Sequence, residues 1–100
     1  MINKHLAIPS NLIPAYCRRN GIQRLTLFGS ALRDDFGPGS DVDLLVEFRS
    51  DARIGCLALS RMQRELSDLF HRKVDLVPQK GLKPLLREPI LRNSEVLYAE

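Results

Sequence analysis

The chain has 100 residues, 44% apolar and 27% charged, a balance that suits one folded domain and excludes a disordered chain. No apolar run approaches the ~20 residues that span a bilayer, and the start of the chain lacks the apolar centre of a secretory leader. A net charge of +3 admits a nucleic-acid partner, but Asp34, Asp35, Asp41, Asp43, Glu47 and Asp51, half of the twelve acids, crowd into eighteen residues, which a nucleic-acid surface would not gather. An acidic knot in a basic chain is instead what a metal site facing a polyphosphate needs.

In chain order, a first helix is expected from about Pro9 to Asn20. Ser10 or Asn11 can cap it, Pro14 fits only in its first turn, and Gly21 can end it in the left-handed conformation. Ile22 to Phe28 is rich in strand formers and is stopped by Gly29. Ser30 to Arg33 reads as a short helical turn, and Asp34 to Ser40 as a loop. Asp41 to Phe48 is the clearest strand: Val42, Leu44, Val46 and Phe48 share one face, and Asp41, Asp43, Leu45 and Glu47 the other. Ile54 to Phe70 is the longest expected helix, with an apolar stripe of Ile54, Leu57, Ala58, Met62, Leu66, Leu69 and Phe70 and a wet side of Arg61, Arg64, Glu65 and Asp68. Val74 to Val77 is a short strand closed by Pro78. Leu82 to Asn93 is helix-like, with Pro89 expected to break it or begin a second turn. Val96 to Tyr98 is expected to close as an edge strand. Strands alternating with helices give a small sandwich, a sheet covered by helices.

Cys17 and Cys56 lack the spacing of a metal or redox pair and read as small buried hydrophobes in a reducing, cytoplasmic setting. His5 and His71 are far apart and form no zinc pattern.

The chemistry lies between Gly29 and Asp43. A Gly-Ser pair, Gly29-Ser30, ends one strand. Ten residues intervene, and Asp41-Val42-Asp43 opens the next strand. Aspartates two apart on a strand point to the same side, with Cα atoms roughly 6.5–7 Å apart, so their carboxylates can converge on hard cations. Gly29 has no Cβ and lets a phosphate approach the backbone. Ser30 offers a hydroxyl and begins a turn whose free N–H groups favour an anion. Ser40 adds a second hydroxyl, and Arg33 a cation for phosphate. Either pair alone is commonplace: Asp41 can be a turn residue and Asp43 a solvated strand residue. Together, with the local acid density, they point to phosphate chemistry. Asp75 reads either as an edge-strand acid paired with Arg72 or Lys73, or as a third carboxylate beside Asp43 on a neighbouring strand. The second reading is the one two-metal phosphoryl transfer needs. Glu47, four residues past Asp43, lies roughly 13 Å along the strand and is left out.

Gly29-Ser30, the ten-residue gap, Ser40-Asp41-Val42-Asp43-Leu44 and then Val74-Asp75-Leu76 resemble the nucleotidyltransferases of the DNA polymerase beta superfamily, and the short length resembles their minimal nucleotidyltransferase (MNT) branch. The resemblance runs from about Ile22 to Val77 and implies an α+β fold, a small mixed β-sheet flanked by helices, with residues 1–100 as a single minimal domain. It implies two magnesium ions held by Asp41, Asp43 and Asp75, and ATP phosphates met by Gly29 and Ser30. Ala31 and Asp34 depart from the family pattern, which often has arginine and glycine there, whereas Arg33 is kept. Minimal members are often paired with a small helical HEPN partner in toxin–antitoxin modules, and some transfer AMP from ATP to a tyrosine hydroxyl of that toxin. The expectation is therefore an antitoxin-type protein adenylyltransferase acting in a hetero-oligomer in the cytoplasm. An antitoxin that neutralises its partner by binding alone is the alternative. Transfer to a small molecule would need an added substrate domain. Scattered arginines and an aromatic content of 6% disfavour a nucleic-acid binder.

Overall fold

The computed structural model describes residues 6–32, 36, 37 and 39–100, with Ser30 and Arg87 described in their backbone alone. Three helices, α1 (Ile13–Arg19), α2 (Cys56–Phe70) and α3 (Pro84–Arg92), accompany four strands, β1 (Ile22–Phe28), β2 (Val42–Phe48), β3 (Val74–Pro78) and β4 (Ser94–Ala99). The sheet order is β3-β2-β1-β4. β1 runs antiparallel to both β2 and β4, and β2 runs parallel to β3. A parallel pair needs a long crossover, and α2 supplies it. This is the mixed sheet with helices that the sequence led us to expect.

The alternation in β2 decides what the sheet buries. Val42, Leu44 and Val46 are enclosed with Ile22, Leu25 and Leu27 of β1, and Val74 and Leu76 of β3. Ile13, Tyr16 and Cys17 of α1 and Met62, Leu66 and Phe70 of α2 complete the same cluster. Each such leucine, isoleucine or valine contributes roughly 1.5–3 kcal/mol by leaving water. The acids of β2 therefore fall on the face away from these helices.

Several expectations need correction. α1 begins at Ile13, so Pro14 sits harmlessly in the first turn, and the cap position is Leu12 with no side-chain bond. Ser10 instead turns back to the Ile8 carbonyl. On α2, Leu57 points outward at 89% exposure, and Leu59 takes its place against the core. Pro89 does not break α3. Leu85, one turn earlier, is exposed, so water can reach the carbonyl that loses its helical partner. Cys17 is buried as expected but Cys56 is exposed.

The free edge of β3 is finished by α2 rather than by another strand. Ser67 Oγ accepts the Val74 N–H at 3.0 Å, and Gln63 Oε1 accepts the Leu76 N–H at 2.9 Å. Side chains that occupy edge donors block pairing with other chains and fix the strand. Asp75 lies between these two anchors.

Candidate nucleotide site

β1 ends where Gly29 turns the chain with φ of +78°, a conformation that side chains rarely tolerate. The following 3₁₀ turn, Gly29–Leu32, carries Ser30 and buries Ala31 completely. Ala31 belongs to the apolar core, so the departure from the family pattern at this position is a core residue. Arg33 and Asp34 lie outside the described residues.

Gly29 lies against the first strand acid. A Cβ at this position would overlap Asp43 Oδ2 and stand 3.2 Å from Asp43 Cγ. A side chain here would therefore displace the Asp43 carboxylate. Register brings the third acid to the same place, because Asp43 pairs with Asp75 across β2 and β3 and with Phe28 across β1 and β2. Paired residues share a face, with Cα atoms about 5 Å apart between strands. Asp41 precedes β2 by one residue and is about two-fifths exposed, with Lys73 Nζ 3.9 Å from its Oδ2. Val42 N–H donates to the Lys73 carbonyl at 2.9 Å, which closes the start of the β2–β3 pair beside Asp41.

Ser40 has a structural duty that its sequence did not disclose. Its Oγ accepts the Gly37 N–H at 3.1 Å, and its own N–H donates to the Gly37 carbonyl at 3.0 Å. The hydroxyl still carries its own proton to donate. Arg72 does not pair with Asp75 as one reading of the sequence had it. It donates to the carbonyls of Gly37 at 2.7 Å and Ser40 at 3.1 Å. Glu47, left out of the site, accepts from Gln23 at 3.2 Å.

Among the described residues no three acids, histidines or cysteines form a ready metal cage. Three like charges repel without a cation between them, and Asp41 leans toward Lys73. The donor set nonetheless fits magnesium, which takes one or two carboxylates and fills its remaining positions with water and substrate phosphates. Asp41 just before β2, Asp43 on β2, its register partner Asp75 on β3 and Gly29 beside Asp43 are therefore brought to one end of the sheet.

A cavity of about 550 Å³ opens at the far end of β2 and β3, among Phe48, Ile54, Cys56, Leu59, Pro78 and Lys80. None of the expected site residues lines it.

Residues 10–97 match the nucleotidyltransferase domain. The protein adenylyltransferase MntA of Thermococcus cleftensis is 34% identical over 80% of this chain and 77% of its own. Among solved structures, a toxin–antitoxin complex with AMP-PNP superposes with a TM-score of 0.76 at 22% identity, covering 93% of this chain and 75% of that one. A tri-AMPylated HEPN toxin of Shewanella oneidensis in complex with its MNT antitoxin gives 0.68 at 21% identity, covering 92% and 71%. At such identities these two structures establish a shared fold.

Proposed function

The chain belongs to the nucleotidyltransferase domain family, and on that footing we propose that it transfers AMP from ATP to a tyrosine hydroxyl of a HEPN-type partner, silencing that toxin as its antitoxin. The observation that carries this reading is the register pairing of Asp43 with Asp75 directly beside Gly29. A protein that only bound its partner would have no use for two carboxylates paired across strands against a glycine whose Cβ would displace one of them. The adenylyltransferase relative and the AMPylated toxin complex support the same direction.

In this reading Asp41 and Asp43 would hold magnesium together with the triphosphate, and Asp75 would complete the set of carboxylates. Magnesium, when bound, neutralises phosphate charge and lowers the pKa of the attacking hydroxyl. Gly29 gives the phosphates close access to the backbone, and Ser30 and Ser40 donate hydroxyl hydrogen bonds. Arg33 adds positive charge to the same phosphates. The acceptor oxygen forms a bond to the α-phosphorus in line as the α–β bridging bond breaks, and pyrophosphate leaves. Asp75 takes the hydroxyl proton. The acceptor arrives on a second protein, so the working unit is a hetero-oligomer. Two unpaired thiols, one of them exposed, suit a reducing cytoplasm, and among the described residues no helix is long and apolar enough to cross a membrane.

The roles separate in a binding experiment. Calorimetry with MgATP should show binding by the native chain and by Asp75→Asn, and loss in Asp41→Asn and Asp43→Asn. Equal affinity with and without magnesium would remove the carboxylates from the site.

A further inference from the structure

We propose that Arg72 is a positioning residue for this site: its guanidinium clamps the loop before β2 to the start of β3, so that Asp41 is delivered beside the register pair of Asp43 and Asp75. The inference deepens the proposed adenylyl transfer and rests on it.

The acids come from distant parts of the chain. Asp43 and Asp75 are separated by the whole of α2 and its connections. Strand pairing aligns Asp43 with Asp75, but Asp41 lies just outside β2 and depends on the loop that delivers it. That loop is closed on itself by the Gly37 and Ser40 bonds, and Arg72 holds both ends of the closure through its two carbonyl contacts. The guanidinium carbon also stands 4.3 Å from the centre of the Phe36 ring, and Phe36 is itself buried in the core. One side chain therefore joins the core, the loop and the residue immediately before Asp41.

The base of the clamp is firm. α2 ends with His71 in the left-handed conformation at φ of 54°, and Arg72 N–H donates to the Ser67 carbonyl at 3.2 Å. Three residues on is Asp75, on a strand whose edge is pinned by Ser67 and Gln63. Both carbonyls are reached from one nitrogen, Nη1, while the guanidinium lies over the Phe36 ring, and it is this pairing of reach with stacking that is particular to arginine. Lysine keeps the charge and can donate from its ammonium, but it has no plane to lay over the Phe36 ring. Arg72 directs these bonds to backbone carbonyls. Positioning partners of this kind typically change metal affinity or activity by about 10–100-fold when lost.

The test uses the full chain, native and Arg72→Lys, with two readouts. Amide hydrogen exchange without nucleotide reads the clamp, and calorimetry with MgATP reads the alignment of the acids. We expect the Ser40 amide to exchange at least about tenfold faster in Arg72→Lys, and MgATP to bind about 10–100-fold more weakly, while amides of Leu27 and Leu44 stay protected. Phe36→Leu, which keeps both carbonyl contacts and loses the ring, should move both readouts the same way by a smaller factor, and it serves if Arg72→Lys does not fold. Native Ser40 exchange in Arg72→Lys, or MgATP affinity within twofold of native, overturns the proposal. If the native chain itself fails to bind MgATP, the adenylyl reading falls, and Ser40 exchange still decides whether Arg72 clamps the loop.

Discussion

Replacing Gly29 by alanine tests the closeness on which the site is built. Two costs follow from the structure. An L-residue at φ of +78° pays the left-handed penalty, about 1–2 kcal/mol. The new methyl also overlaps Asp43 Oδ2, and driving the aspartate off its rotamer costs about 0.5–1.5 kcal/mol. Gly29→Ala should therefore destabilise the fold by about 1.5–3.5 kcal/mol, lowering the melting temperature by about 4–8 °C for each kcal/mol in a domain of this size. The second cost has its own signature. In an Asp43→Ala background the carboxylate is gone, and the nearest remaining contact is the Cβ of residue 43 at 3.4 Å, an ordinary distance. There the substitution should cost only the backbone penalty, about 1–2 kcal/mol. Thermal and urea unfolding of the four chains of this cycle give the coupling. Equal cost in both backgrounds, or native MgATP affinity in Gly29→Ala, would refute the claim that Gly29 is small because of Asp43.

Three further outcomes follow from the packing. Burial pushes the Cys17 thiol up to about 12, so at pH 8 the native chain should alkylate at exposed Cys56 alone, with Cys17 reacting only in denaturant; intact mass counts the adducts. Tyr16 donates to Glu65 at 2.9 Å, and that bond, with Arg61 adding to it, holds the Glu65 carboxyl below its ordinary range. This contribution is present above the unfolded value near ~4.3 and fades as pH falls through the folded one, so Tyr16→Phe should flatten the acid side of the stability curve and cost about 1 kcal/mol at neutral pH. On the alkaline side, burial and then the Glu65 bond raise the Tyr16 hydroxyl, so its share of stability, whole below pH ~10, fades above it; a stability profile of Tyr16→Phe parallel to native at both ends would contradict this. Gln63→Leu strands the Leu76 N–H and should cost about 1–2 kcal/mol, seen as a lower melting temperature and faster exchange at Leu76.

Much of this molecule was legible because local chemistry and tertiary structure agree. Ile22 to Phe28 and the alternation through Phe48 are strong strand signals, and Gly21 and Gly29 stand where the backbone takes positive φ. The spacing from Gly29 to Asp43 and the apolar flanks of Asp75 sufficed to foresee two acids side by side. The failures have physical causes. Leu57, Ala58 and Leu59 are consecutive apolar residues, and a helix can bury only part of such a run; the choice of Leu59 follows from its alignment with Met62, Leu66 and Phe70. Pro89 carries an intrinsic helix penalty, but Leu85, one turn before it, is open to water. Arg72 left no local trace, since its acceptors are carbonyls more than thirty positions earlier. No residue type announces which backbone oxygens a guanidinium will find.

The central claim is transfer of AMP by three carboxylates, and its most direct measurement is the intact mass of the HEPN-type partner after incubation with ATP and magnesium. The native chain should add AMP units to the partner, removed when the acceptor tyrosine is changed to phenylalanine. Asp75→Asn, though it binds MgATP, should leave the partner's mass unchanged over the same time. Modification by Asp75→Asn at the native rate would contradict the role given to the third acid. A partner neutralised by the native chain with no gain in mass would contradict the transfer itself.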